Sequence, residues 1–169
     1  MKADAIVVGA GIIGALAAYE LRKRGLSVLL LDAGKEGAAT SASAGMLAPY
    51  PEGLSGELLR AGLFGLDYYP HLLGELGDFG LEVEAGLSGT QVVPLSQGEK
   101  EAWAAFPSGE QPAAWEPLSY PVREGKVART FPGGYVHPRK LREALLKALA
   151  SMGTPLTLAE VEWVEPGMV

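Results

Sequence analysis

The chain has 169 residues, 48% of them hydrophobic, enough for one compact domain or a piece of a larger one, and wholesale disorder is excluded. Its 14 basic and 20 acidic side chains leave a net charge of −6 without any Lys/Arg run longer than three, so it has no electrostatic footprint for nucleic acid. Cysteine is absent, which excludes disulfides, thiolate chemistry and Cys-ligated metals, and the two histidines, His71 and His137, are too far apart in sequence for a local metal motif.

The longest apolar stretch, residues 5–19, contains three glycines and is shorter than the roughly 20 residues a membrane span needs. A secretory leader fits poorly, because Lys2 is followed by acidic Asp4 and no small-residue cleavage site comes after the stretch. The chain is expected to be soluble and cytoplasmic. Residues 4–32 read as one strand–helix–strand unit. Ala5-Ile6-Val7-Val8 is continuously apolar, as in a parallel strand buried on both faces. Gly9-Ala10-Gly11-Ile12-Ile13-Gly14 follows, and Ile13, Leu16, Ala17 and Leu21 then recur at helical spacing. Arg22, Lys23 and Arg24 crowd the last turn, where cations complement the helix dipole, and Gly25 suits the C-terminal cap. Residues 27–31 form the second strand, which ends at Asp32.

Each of these residue types has a task. Gly9 permits the tight turn, Gly11 lets a pyrophosphate approach the backbone, and Gly14 lets helix and sheet pack closely. The helix N-terminus offers free N–H groups and partial positive charge to phosphates. Asp32 stands 18 residues beyond Gly14, at the strand tip, where a carboxylate accepts from ribose hydroxyls and repels a 2′-phosphate. The unit predicts a dinucleotide site and by itself leaves FAD and NAD both open.

Residues 37–49, GAATSASAGMLAP, are almost all small. They read either as a loop with a short Ala-rich helix or as a second close approach of backbone to cofactor, with Thr40, Ser41 and Ser43 as hydroxyl donors. A helix is expected over residues 58–69, capped by Ser55, with Leu58, Leu59, Leu63 and Leu66 as its stripe and Pro70 kinking or ending it. His71 is expected to be an ordinary surface histidine. Strands are expected at 81–84 and 90–95, and a short helix at 99–106 with Trp103 and Phe106 in packing roles. Residues 107–126, rich in Pro, Gly and Glu and carrying Trp115 and Tyr120, read as a long surface connection. A strand at 127–131 and a Pro132-Gly133-Gly134 turn come next. The following helix starts at Pro138, with His137 as cap and Leu141, Ala144, Leu145, Ala148 and Leu149 on one face. Short strands are expected at 156–158 and 161–164.

The segments IVVGAGIIG…LLLDAG, TSASAGMLAP and Gly133-Gly134-Tyr135-Val136-His137-Pro138 together resemble the N-terminal half of the FAD-dependent amino-acid oxidase family, nearest its glycine oxidases of thiamine biosynthesis and further from D-amino-acid oxidase and sarcosine oxidase. The resemblance implies an α/β fold: a Rossmann-like FAD-binding βαβ segment at 1–50, part of an antiparallel-sheet substrate or cap domain at 51–136, and a return to the FAD-binding domain at 137–169. It implies that Gly9, Gly11, Ile12, Ile13 and Gly14 hold the pyrophosphate. Asp32, where the family more often has glutamate, would bind the AMP ribose, with Ala33 along the adenosine. Ala39, Thr40 and Ser41 would contact phosphate or ribityl groups. Ala44, Gly45 and Met46 would lie by the isoalloxazine ring, Met46 also facing the substrate pocket, and Val161 would meet adenine through its backbone.

The implied reaction is hydride transfer from a small amino acid or secondary amine to the flavin, giving an imine, with O2 reduced to hydrogen peroxide. The family's substrate-clamping tyrosine and arginine residues fall beyond this chain, so no catalytic residue is assigned, and no metal is expected. An unfinished sheet would expose apolar surface, so self-association or a complementing C-terminal chain is expected. Three alternatives remain beside this reading: a non-catalytic FAD-binding fragment, one subunit of a split oxidase, and an NAD-dependent Rossmann dehydrogenase.

Overall fold

The structure, a computed structural model, describes residues 3–35, 39–105, 116–117 and 127–162. In chain order the elements are β1 (Ala5–Val8), α1 (Ile12–Lys23), β2 (Val28–Asp32), α2 (Ala39–Ala42), β3 (Met46–Leu47), α3 (Gly56–Asp78), β4 (Ala85–Gly86), β5 (Thr90–Val92), α4 (Gln97–Ala105), β6 (Glu116–Pro117), β7 (Val127–Phe131), β8 (Gly134–Val136), α5 (Pro138–Ser151) and β9 (Leu156–Leu158). They form two compact units: residues 1–45, 72–84 and 136–169 in one, residues 46–71 and 85–135 in the other.

The first unit is a parallel three-stranded sheet in the order β1-β2-β9, with α1 packed on α5. β1 and β2 pair in register from Ala5↔Val28 to Val8↔Leu31. This strand–helix–strand unit is as expected from the apolar runs and the glycine turn between them. Two details differ. α1 buries Ala15, Ala18 and Tyr19, whereas Ile13 of the expected stripe is 82% exposed and Ala17 is exposed as well. α1 packs on α5 and on β1 and β2, and the buried side is set by what those elements cover rather than by side-chain size. β1 is also not buried on both faces: Ile6 is 41% and Val8 53% exposed. Among the described residues β1 pairs with β2 alone, so its outer edge is open.

α5 matches its pattern closely. Pro138 occupies the first turn, His137 is the N-cap and its Nδ1 accepts from Lys140 N–H at 3.4 Å, and Leu141, Ala144, Leu145, Ala148 and Leu149 are buried. β9 pairs with β2 through Leu158↔Asp32. Residues 161–162 are not a strand, and 163–164 lie outside the described residues.

The second unit holds two small sheets, β3-β8-β4 and β5-β7-β6, both built on antiparallel pairs. Phe131 is its buried centre at 1% exposure, with the rings of Tyr50 and Trp103 at 5.8 and 5.6 Å. The strand expected at 81–84 is absent, its place taken by the short β4. The connection expected at 107–126, apart from 116–117, lies outside the described residues, as do Phe106, Gly37 and Ala38.

α3 belongs to both units and runs on past residue 69, where the sequence left Pro70 either to kink the helix or to end it. The helix passes through Pro70 and ends at Asp78. An interior proline costs about 3 kcal/mol. Beyond it Leu72 and Leu76 are 1% and 0% exposed. Burying two leucines contributes up to about 3–6 kcal/mol, so packing wins over local propensity. His71 is exposed beside the Tyr68 ring, consistent with an ordinary role. No helix among the described residues is long and apolar enough to cross a membrane.

Candidate dinucleotide site

The site is built where β1 hands over to α1. Gly9 turns the chain at φ +97°, a backbone region in which other residues are strained. Gly11 is the N-cap of α1, with no side-chain capping bond and no acidic residue in the first turn. The N–H groups of that turn have no carbonyl one turn back, and no residue of the turn itself brings a negative charge to the positive end of the helix dipole. Gly14 is required by packing: a Cβ there would lie 1.8 Å from the Gly9 carbonyl oxygen.

Asp32, at the C-terminal tip of β2, turns toward this loop. Its Oδ2 accepts from Ala10 N–H at 2.6 Å and its Oδ1 from Gly34 N–H at 2.7 Å. These two backbone bonds, with a smaller effect of the nearby Arg142 charge, hold its carboxyl below the usual aspartate range. Each oxygen keeps lone-pair capacity for a further donor.

The small-residue loop packs alongside. Thr40 is 8% exposed, and its Oγ1 accepts from Ile12 N–H at 3.0 Å. A Cβ on Gly11 would stand 3.3 Å from the same oxygen, so two close-packed segments meet there. Gly45 has φ +76°, and a Cβ on it would lie 1.9 Å from Val136 O, which makes glycine obligatory at the junction with α5. Ser43 Oγ accepts from Gly45 N–H at 3.1 Å.

The structure therefore brings together Gly9, Gly11, Ile12, Ile13, Gly14, Asp32 and Thr40. Ala33, Ala39, Ser41 and Ala44 are exposed along the same segments. Val161 lies in irregular chain past β9 rather than in the expected strand, and this stretch meets the site through Ala159 N–H to Asp32 O at 2.9 Å. Met46 belongs to the second unit. It is 55% exposed, faces Tyr135 across the β3–β8 pair, and lines an open, mostly apolar cavity of about 310 Å³ with Leu47, Pro49, Leu54, Leu66 and Tyr69. Burial pushes the Tyr69 phenol above its usual range.

Two residues escaped the sequence reading. Arg142 Nε donates to Ala10 O at 2.5 Å, and Arg139 donates to Ser41 O from Nη2 at 2.9 Å. Their spacing of three puts both on one side of α5, which sequence can show, but not what they face.

The residues fit a dinucleotide cofactor on their own chemistry: a glycine turn at φ +97°, a helix start where Gly14 admits no Cβ and first-turn N–H groups lack a carbonyl one turn back, and a carboxylate at the rim. The comparisons agree. Residues 4–165 match the family model described as DAO, FAD dependent oxidoreductase. The chain is 32% identical over 169 residues to the bifunctional protein ThiO/ThiG of Trichormus variabilis, covering 92% of this chain and 26% of that protein. It is 36% identical over 104 residues to the glycine oxidase of Bacillus licheniformis, covering 58% of this chain and 27% of that one. The solved glycine oxidase of Geobacillus kaustophilus superposes with a TM-score of 0.79 at 29% identity, over 92% of this chain and 46% of that chain. The chain thus spans about a quarter of the curated relatives and just under half of the solved one. The family is flavin-dependent, which separates it from the nicotinamide dehydrogenases that share its opening unit. With the glycine turn, the acidic strand tip and the family match all in one frame, the chain belongs to the DAO family of FAD-dependent oxidoreductases.

Proposed function

We propose that this chain is the N-terminal part of a FAD-dependent oxidase of a small amino acid or secondary amine. In this reading residues 1–50 and 137–169 are FAD-binding segments, 51–136 are part of the substrate domain, and the protein is cytoplasmic. The observation that carries it is the start of α1 above the Gly9 turn, with Gly14 barred to any side chain and Asp32 at the rim.

FAD, when bound, supplies the two-electron acceptor for oxidation of the amine to an imine and the route of those electrons to O2. The chain's own residues bind and orient. The first-turn N–H groups of α1 other than that of Ile12, which Thr40 takes, would meet phosphate oxygens. Thr40, whose oxygen already accepts from Ile12 N–H, has its O–H left to donate. Asp32 holds the ribose, while Ala44 and Gly45 present a low backbone surface to a flat ring. Met46, on the wall of an apolar cavity of about 310 Å³, borders the substrate.

The open edge of β1, with Ile6 and Val8 exposed, supports a complementing chain or a second copy pairing there. It also favours the second reading, a split oxidase or a FAD-binding fragment without activity of its own. The test is visible flavin absorbance of the purified chain, followed by peroxide release from glycine and from sarcosine, alone and after mixing with the C-terminal remainder of a family oxidase. Flavin uptake with activity on mixing is the expected result. Uptake without activity in either arm leaves the fragment reading, and no uptake refutes both.

A further inference from the structure

α5 ties down both small-residue segments at once. Arg142 Nε holds the carbonyl of Ala10, inside the Gly9–Gly14 turn, at 2.5 Å. One helical turn earlier, Arg139 holds the carbonyl of Ser41, inside the 37–49 loop, through Nη2 at 2.9 Å and Nε at 3.3 Å. Ala10 is gripped from both sides, since its N–H donates to Asp32 Oδ2 at 2.6 Å. The two segments are joined to each other by Thr40 Oγ1 and Ile12 N–H. Neither arginine forms a salt bridge among the described residues, and the bonds given above for the two guanidinium groups all go to main-chain carbonyls.

We infer that Arg142 and Arg139 are positioning residues: a brace on one helix that sets the glycine turn and the small-residue loop in the geometry a dinucleotide needs before it arrives. This rests on the flavin reading above. Glycine-rich backbone has the largest conformational freedom to lose. A loop that orders only on binding takes that loss out of the affinity, and one ordered beforehand does not. A side-chain tether to the carbonyl of Ala10 limits the turn where no Cβ does so. Arginine suits the task, because it stays charged at every working pH and its planar fork reaches a carbonyl from a fixed direction. It also brings positive charge close to the Asp32 carboxylate that it helps to hold.

The test uses the full chain and four variants: Arg142→Met, Arg142→Lys, Arg139→Met and, as a control, Arg22→Met. The Arg22 guanidinium holds Leu26 O and Met152 O in the same unit, away from the turn. FAD affinity is read by quenching of flavin fluorescence, and amide hydrogen exchange is read by mass spectrometry without cofactor. Loss of one hydrogen bond from a charged donor corresponds to about tenfold, so Arg142→Met is expected to weaken FAD by about that factor. It should also speed exchange across residues 9–14 while leaving residues 141–149 protected. Arg142→Lys, which keeps charge and reach, should recover part of both effects. Arg139→Met should show the same pair of changes, with exchange rising over 39–45. Arg22→Met should lower overall stability without a selective change in the turn. Unchanged affinity and unchanged exchange in Arg142→Met overturn the brace. A wild-type chain that takes up no FAD overturns the flavin reading instead, and the exchange comparison then decides the brace by itself.

Discussion

Replacing Gly14 by alanine tests the packing argument most directly. The added Cβ would lie 1.8 Å from the Gly9 carbonyl oxygen and 3.4 Å from Val7 Cγ1, whereas real Cβ contacts essentially never fall below 3.0 Å. The obstacle is backbone, so no side chain can rotate away, and α1 must retreat from the turn by about 1 Å or more. That retreat breaks the seating of Ala15 and Ala18, both 0% exposed. Overpacking costs about 1–3 kcal/mol, and an unyielding backbone contact puts this case near the upper end, about 3 kcal/mol. Two companion variants separate clash from conformation. At Gly9 a Cβ meets nothing within 4 Å, but φ is +97°, so Gly9→Ala should cost only the strain, about 1–2 kcal/mol. At Gly65, inside α3 and also in open space, Gly65→Ala should gain about 0.5–1 kcal/mol of helix propensity. The assay is urea unfolding of the three variants and wild type, with FAD titration alongside. A Gly14→Ala chain within about 0.5 kcal/mol of wild type would refute the reasoning, because that is the scatter of substitutions that touch nothing.

Three further outcomes are expected. Asp32 has a lowered folded-state pKa, through its bonds from Ala10 and Gly34 N–H, so its stabilising effect is complete above the unfolded value of about 3.9 and fades as pH falls through the folded one. Urea midpoints measured from pH 7 down to pH 3 should therefore fall more steeply for wild type than for Asp32→Asn, and parallel curves would remove Asp32 as the cause. His137→Ala should cost about 0.5 kcal/mol, the low end for a lost N-cap, because the Nδ1 to Lys140 N distance is a long 3.4 Å; a thermal melt reads it, and a loss several times larger would point to a role beyond capping. Ile6→Lys, on the open edge of β1 where Ile6 is 41% exposed, should leave the urea midpoint nearly unchanged and reduce self-association in sedimentation velocity; an unchanged sedimentation profile would place any self-contact elsewhere.

Much of the first unit was readable because its signals are local. The apolar runs at 5–8 and 28–31, the glycines at 9, 11 and 14 and the acid at 32 each follow from what their own few residues must do. Likewise Pro138, His137 and the leucine–alanine stripe define α5 without reference to anything distant. Where the outcome depended on a distant partner, the pattern misled. Ile13 carries the larger apolar side chain, yet α1 turns Ala15 and Ala18 inward, because α5 and the strands cover that side of the helix. Pro70 left a kink and an end both open, and α3 continues because Leu72 and Leu76 find cover beyond it.

Sequence alone determined that a strand, a glycine turn and a helix start would stand beside a carboxylate, since spacing and residue type dictate each of those features over a few positions. Tertiary structure alone decided which face of α1 is covered, that Asp32 leans onto Ala10, and that Arg142 and Arg139 reach across 132 and 98 residues to hold the loops. The reason is physical. A periodic pattern reports which side of an element is apolar, whereas burial and a long side chain's hydrogen bond depend on what the rest of the chain sets opposite it.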